Sequence, residues 1–118
     1  MPLSSQVADF FATLGDHTRI KILGMIYAYP LTVNEISERL GDMSLPALSY
    51  QLRKLEEQHL IKFEKDPKDG RRKLVYLADK HVTHILNDAI VHLKGGKECE
   101  GNLECDDTDN LKLLMVTQ

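Results

Sequence analysis

The sequence predicts a mainly α (α+β) fold, five helices with one two-stranded β-hairpin, and three observations predict it. Apolar residues recur at helical spacing in four segments before residue 61. A turn-rich stretch dense in Lys and Arg follows, flanked by strand-like alternation. One more amphipathic segment then runs up to a pair of glycines.

Between Ser5 and Leu14, Val7, Phe10, Phe11 and Leu14 form an i, i+3, i+4, i+7 stripe, which predicts a first helix ending at Gly15. Asp16 is placed to cap the second, from His17 to Ala28. Its apolar set, Ile20, Ile22, Leu23, Met25, Ile26 and Tyr27, is too broad for a surface helix, so it is predicted to be central and to end before Pro30. Thr32-Val33-Asn34-Glu35 is a capping box that opens a third helix of about two turns, closed by Gly41. Ser44 caps a fourth helix, in which Leu48, Leu52 and Leu55 repeat toward His59-Leu60. Ile61 to Lys65 and Arg72 to Leu77 alternate as strands around the turn cluster Asp66-Pro67-Lys68-Asp69-Gly70. Asp79 caps the last helix, with Val82, Ile85, Leu86, Ala89, Ile90 and Leu93 on its apolar face, and Gly95-Gly96 stops it.

This order is that of a winged helix-turn-helix with flanking helices suited to homodimerisation. A length of 118 residues allows one domain, here 1–95, followed by an acidic, flexible tail, 96–118, with a turn at Leu111 to Val116. Multidomain enzymes are excluded. No apolar run approaches the roughly 20 residues that span a bilayer, and Met1-Pro2-Leu3-Ser4-Ser5 lacks signal-peptide character, so a cytoplasmic protein without membrane partners is expected. Cys99 and Cys105 are too few and too local to staple a secreted fold and read as thiols. The net charge of −3 hides an uneven distribution: residues 1–80 carry 12 Lys and Arg against 11 Asp and Glu, residues 81–118 carry 3 against 7. From Lys62 to Lys73 six cations meet three acids, so the predicted hairpin is basic, as a DNA-binding wing requires.

Three stretches carry a family resemblance: Leu14-Gly15-Asp16-His17-Thr18-Arg19-Ile20-Lys21-Ile22-Leu23, Leu48-Ser49-Tyr50-Gln51-Leu52-Arg53-Lys54-Leu55, and Gly70-Arg71-Arg72-Lys73-Leu74-Val75-Tyr76-Leu77. Over about residues 7 to 94 the chain resembles the ArsR/SmtB family of bacterial metal-sensing repressors. A recognition helix needs short polar side chains at its start, where they reach phosphates and base edges, and Ser44, Ser49, Tyr50 and Gln51 meet that need. The resemblance places them in the major groove, with Tyr50 where many members have His. Arg53 and Lys54 are expected on the DNA backbone, and Lys68, Arg71 and Arg72 of the wing on flanking phosphates or the minor groove. The plainer reading makes Ser44 only a cap and the hairpin only a solvated edge.

Asp79-Lys80-His81 and His92 resemble the family's sensor pattern of Asp-x-His, ten residues, His, two residues, then His or Glu. The fourth position falls on Gly95, leaving that donor to water, Glu98 or Cys99. His81 and His92 lie about 20° from one face of a helix but about 16 Å apart along it, so one helix cannot close both on one ion. Two antiparallel copies crossing near Leu86-Asn87 bring Asp79 and His81 of one chain to His92 of the other, giving two symmetric sites. Imidazole and carboxylate donors favour Zn(II), Ni(II) or Co(II). His84, Asp88 and His92, at i, i+4 and i+8, also read as a plain solvated stripe, and His17 and His59 as structural. No thiolate stands in the third helix, where Leu31-Thr32-Val33-Asn34-Glu35 excludes a cysteine site.

The reading that follows is a dimeric repressor on double-stranded operator DNA, released by metal, with no catalytic residue and no small organic substrate. By resemblance, His92 acts on the backbone of His59 at the end of the recognition helix. Two alternatives stand beside it: a thiol-responsive repressor using Cys99 and Cys105, and a repressor of the same fold with no metal ligand.

Overall fold

Three helix caps set the frame. In this computed structural model, which describes residues 2–41, 43–95 and 114, α1 (Leu3–Leu14) and α2 (His17–Ala28) are joined through Asp16, whose side chain accepts from the Arg19 amide at 3.2 Å. β1 (Leu31–Thr32) leads into α3 (Val33–Leu40), where the capping box forms in both directions: Thr32 Oγ1 accepts from the Glu35 amide and Glu35 Oε1 from the Thr32 amide. Ser44 Oγ accepts from the Ala47 amide at 3.3 Å and starts α4 (Leu45–Glu57). The chain continues through β2 (Ile61–Lys65), β3 (Lys73–Leu77) and α5 (Lys80–Leu93).

β2 and β3 pair antiparallel, with Phe63 opposite Val75 and Lys65 opposite Lys73. The sheet has one strand more than the expected hairpin: β1 joins the far side of β3, with Leu31 opposite Val75, for the order β1-β3-β2. Two residues are too few to show alternation, and both are buried here although they point to opposite faces of the sheet. The expected end of the fourth helix also shifts. α4 stops at Glu57, and the Leu60 amide reaches back to the Leu55 carbonyl at 3.0 Å while the His59 amide bonds Glu56 at 2.9 Å. This is a Schellman closure, with His59 in the left-handed position that glycine usually fills (φ 58).

α2 is the central helix that its all-round apolar pattern predicts, burying Ile22, Leu23, Met25 and Ile26. Leu48, Leu52 and Leu55 of α4, Leu60 just after it, Ile36 of α3, Leu31, Ile61 and Val75 of the sheet, and Val82 and Leu86 of α5 complete one core. Each such side chain contributes about 1.5–3 kcal/mol through burial, which fixes α4 with its apolar edge inward and its polar edge out. Leu114 is partly buried and packs on this core. The rest of the tail, including Glu98, Cys99, Cys105 and most of the expected turn at Leu111 to Val116, lies outside the described residues. Among the described residues no helix is long and apolar enough to cross a membrane.

Candidate functional site

With three leucines of α4 inward, Pro46, Ser49, Tyr50 and Arg53 fall on one exposed stripe. Tyr50 is 48% exposed, its ring outside the core. Lys54 lies at its edge, with Nζ 5.5 Å from the Tyr50 ring centre and 3.9 Å from Glu57. Ser44 is spent on the cap, with its hydroxyl on the Ala47 amide and its carbonyl on the Leu48 amide at 2.9 Å, and Pro46 offers no N–H, so this helix start is closed by its own bonds. Gln51 departs from the expected set. It sits about 160° round the helix from Arg53, half-buried, with Oε1 accepting from Arg19 Nε at 2.7 Å.

The wing is built by its aspartates. Asp66 Oδ1 accepts from the Lys68 amide at 2.9 Å and Asp69 Oδ1 from the Arg71 amide at 3.1 Å, while the Asp66 amide bonds the Arg72 carbonyl at 2.9 Å. These bonds tie the tip and leave Lys68 exposed and the Arg71 side chain 94% exposed. Arg71 Nε stands 3.5 Å from Asp69, a solvated pair of little energetic weight. Arg72 leans the other way, 3.6 Å from Glu35. Strand register adds two cations to the expected DNA-contact set: Lys65 and Lys73, counted above only within the basic span, face each other across the root of the wing, both exposed. The signal for them was the register itself, which alternation alone does not supply.

Asp79 caps α5, with Oδ1 accepting from the His81 amide at 2.9 Å, so one carboxylate oxygen is used and the other is not committed by this bond. His81, His84, Asp88 and His92 are all exposed. Among the described residues no three His, Cys, Asp or Glu side chains gather as metal ligands. Asp79 and His81 stay together and His92 stands apart, near the other end of the 14-residue helix. These oxygen and nitrogen donors are of the kind that suits a divalent ion of intermediate softness, but the described chain does not bring the three together. Gly95 lies beyond the last helical residue at φ +83, its amide bonded to the His92 carbonyl at 3.1 Å. The helix has already ended where a fourth ligand would have to project, and a side chain at this backbone conformation is strained.

Beside that face runs an apolar groove of about 600 Å³ lined by Phe11, Leu14, Ile20, Ile85, Ala89 and His92. Phe11 is 57% exposed and Leu93 83%. The stripe predicted for α1 is thus only half used by its own chain: Phe10 and Leu14 pack inward while Val7 and Phe11 do not.

A capped helix with a bare polar stripe, held beside a cationic hairpin on a central helix, defines a winged helix-turn-helix DNA-binding protein. Residues 14–62 match the model of a helix-turn-helix domain. The chain is 34% identical over 90 residues to the HTH-type transcriptional regulator NmtR of Mycobacterium tuberculosis, covering 75% of this chain and 71% of that one. It is 31% identical over 91 residues to the transcriptional repressor SmtB homolog of a Synechocystis strain, covering 77% and 66%. The crystal structure of M. tuberculosis Rv0081 matches at a TM-score of 0.74 and 25% identity, over 81% of this chain and 93% of that one. The chain belongs to the ArsR/SmtB family of winged helix-turn-helix transcriptional regulators. It spans about two thirds of the length of the SmtB homolog.

Proposed function

We propose that this chain is a metal-responsive repressor that holds a two-half-site operator as a homodimer and releases it when Zn(II), Ni(II) or Co(II) binds between the two α5 helices. The observation that carries the reading is the split donor set: Asp79 and His81 at one end of an exposed face, His92 at the other, beside a groove its own chain leaves uncovered. An antiparallel second copy covers the groove and completes both half-sets with one movement. A bound divalent ion supplies a cross-link between the two subunits. The residues of the chain do the rest: Asp79 offers its uncommitted oxygen, His81 and His92 their ring nitrogens, and His59 a backbone carbonyl to which His92 passes its shift in position.

On the DNA side, Ser49, Tyr50 and Arg53 meet base edges and phosphates, the Ser44 hydroxyl donates to a phosphate while it accepts from the Ala47 amide, and Lys54, Lys68, Arg71 and Arg72 contribute backbone contacts. The name of the Synechocystis relative, a transcriptional repressor, supports the direction of the effect.

The test uses a duplex enriched from a random-sequence pool on the wild-type protein, with binding followed by anisotropy. Metal-free protein binds it, and one of Zn(II), Ni(II) or Co(II) weakens binding by tenfold or more, matching the 1–3 kcal/mol usual for such coupling. His92→Ala abolishes that response, and Cys99→Ser abolishes it only if the tail thiol is the fourth donor. A wild-type response in His92→Ala defeats the proposed site.

A further inference from the structure

Arg19, in the first turn of α2, bonds to both flanking helices. Its Nη1 donates to the Thr13 carbonyl at 3.2 Å, and its Nε donates to Gln51 Oε1 at 2.7 Å. Its own amide is held by Asp16. The Thr13 carbonyl belongs to the last turn of α1, where carbonyls lack helical partners and a cation is favoured. Thr13 is buried, and its hydroxyl bonds back to the Asp9 carbonyl at 3.1 Å, so this end of α1 is rigidly built. The next two residues, Leu14 and Gly15, line the groove.

We propose that Arg19 is a positioning residue for duplex binding, clamping α4 to the closing turn of α1 through Gln51, and that Gln51 acts by holding Arg19, not by reading a base. The inference rests on the reading of α4 as the DNA-contacting helix. Three features carry it: Gln51 lies on the far side of α4 from Arg53, it is half-buried, and its amide oxygen already accepts a short bond from a guanidinium. A glutamine that reads adenine presents both oxygen and NH2 to the base, and here the oxygen is taken. The clamp also joins the operator face to the groove: any shift of Leu14 and Gly15 as the groove is filled acts on Thr13, Arg19 and then α4. Coupling of this kind is established by a double-mutant cycle and not by proximity.

The test measures binding to the same enriched duplex, at several salt concentrations, for the full chain and for Arg19→Met, Gln51→Met, the double variant and Gln51→Glu. Each Met variant is expected to weaken binding about tenfold and the double variant no further, with an unchanged slope of log affinity against log salt. Gln51→Glu, whose carboxylate still accepts from Nε, is expected to stay within threefold of wild type. Thermal melts of every variant check that the fold persists. Additive losses, or a Gln51→Glu loss as large as that of Gln51→Met, overturn the proposal and make Gln51 a direct contact. A slope reduced by about one in Arg19→Met also overturns it, because that marks a lost phosphate contact. If the wild-type chain enriches no duplex at all, the reading of α4 falls, and this one with it.

Discussion

Glu35 and Arg72 lie 3.6 Å apart, so the carboxylate that closes the capping box of α3 also faces the root of the wing. The carboxylate therefore serves two elements at once. The Thr32 backbone amide first, then the Thr32 side chain and the cations of Arg72 and Arg39, hold the Glu35 carboxyl below the usual glutamate range.

Because that value is lowered on folding, its stabilising effect is complete above the ordinary glutamate pKa and disappears as pH falls through the folded value. Thermal melts taken from about pH 6 down to about pH 3, spanning the carboxylate range, should show the wild type losing more of its Tm than Glu35→Gln. Parallel curves for the two proteins would remove Glu35 as the cause.

His59 occupies a left-handed backbone position without being glycine, which costs about 1 kcal/mol. His59→Gly should raise the urea midpoint by the equivalent of about 0.5–1 kcal/mol, and His59→Val should lower it, since a β-branched residue fits that region worst. The glycine variant keeps the backbone carbonyl, so its metal response should persist.

How much of this was legible beforehand follows from how local each feature is. Asp16, Thr32 with Glu35, Ser44 and Asp79 all cap where the sequence placed them, because a cap is decided within four residues. The end of α4 was misread because the closing residue is His59 and not the glycine that marks such stops. β1 escaped notice because Leu31 and Thr32 become a strand only through β3, over forty residues away. The turn of Gln51 toward Arg19 spans 32 positions, and nothing in the spacing of α4 alone announces it.

Phe11 is the sharpest probe of the groove, being 57% exposed and the residue that a second copy would cover in the proposed dimer. Phe11→Glu should leave the melting curve of the fold within a few degrees and shift sedimentation from dimer to monomer. Duplex binding should weaken in step, since one half-site then binds alone. An unchanged dimer would move the interface elsewhere.

Arg71 and Arg72 are neighbours with different duties. Arg71→Ala should reduce the salt slope of duplex binding by about one with no change in stability, as the loss of one phosphate contact requires. Arg72→Ala should instead alter the acid-side melting profile through Glu35. Interchanged behaviour would mean that the wing turns over on the duplex.

The facing lysines at 65 and 73 have one more implication. Like charges set directly across an antiparallel pair repel, so the pairing of these two exposed lysines costs the free hairpin on the order of a few tenths of a kcal/mol, the lower end for such pairs. A polyanion laid along the wing would cancel that repulsion, so on the proposed reading part of the affinity for DNA is relief of a charge conflict within the free protein. Neutralising either lysine should make the free regulator sturdier and its complex weaker, a trade that a screen for thermal robustness alone would mistake for improvement.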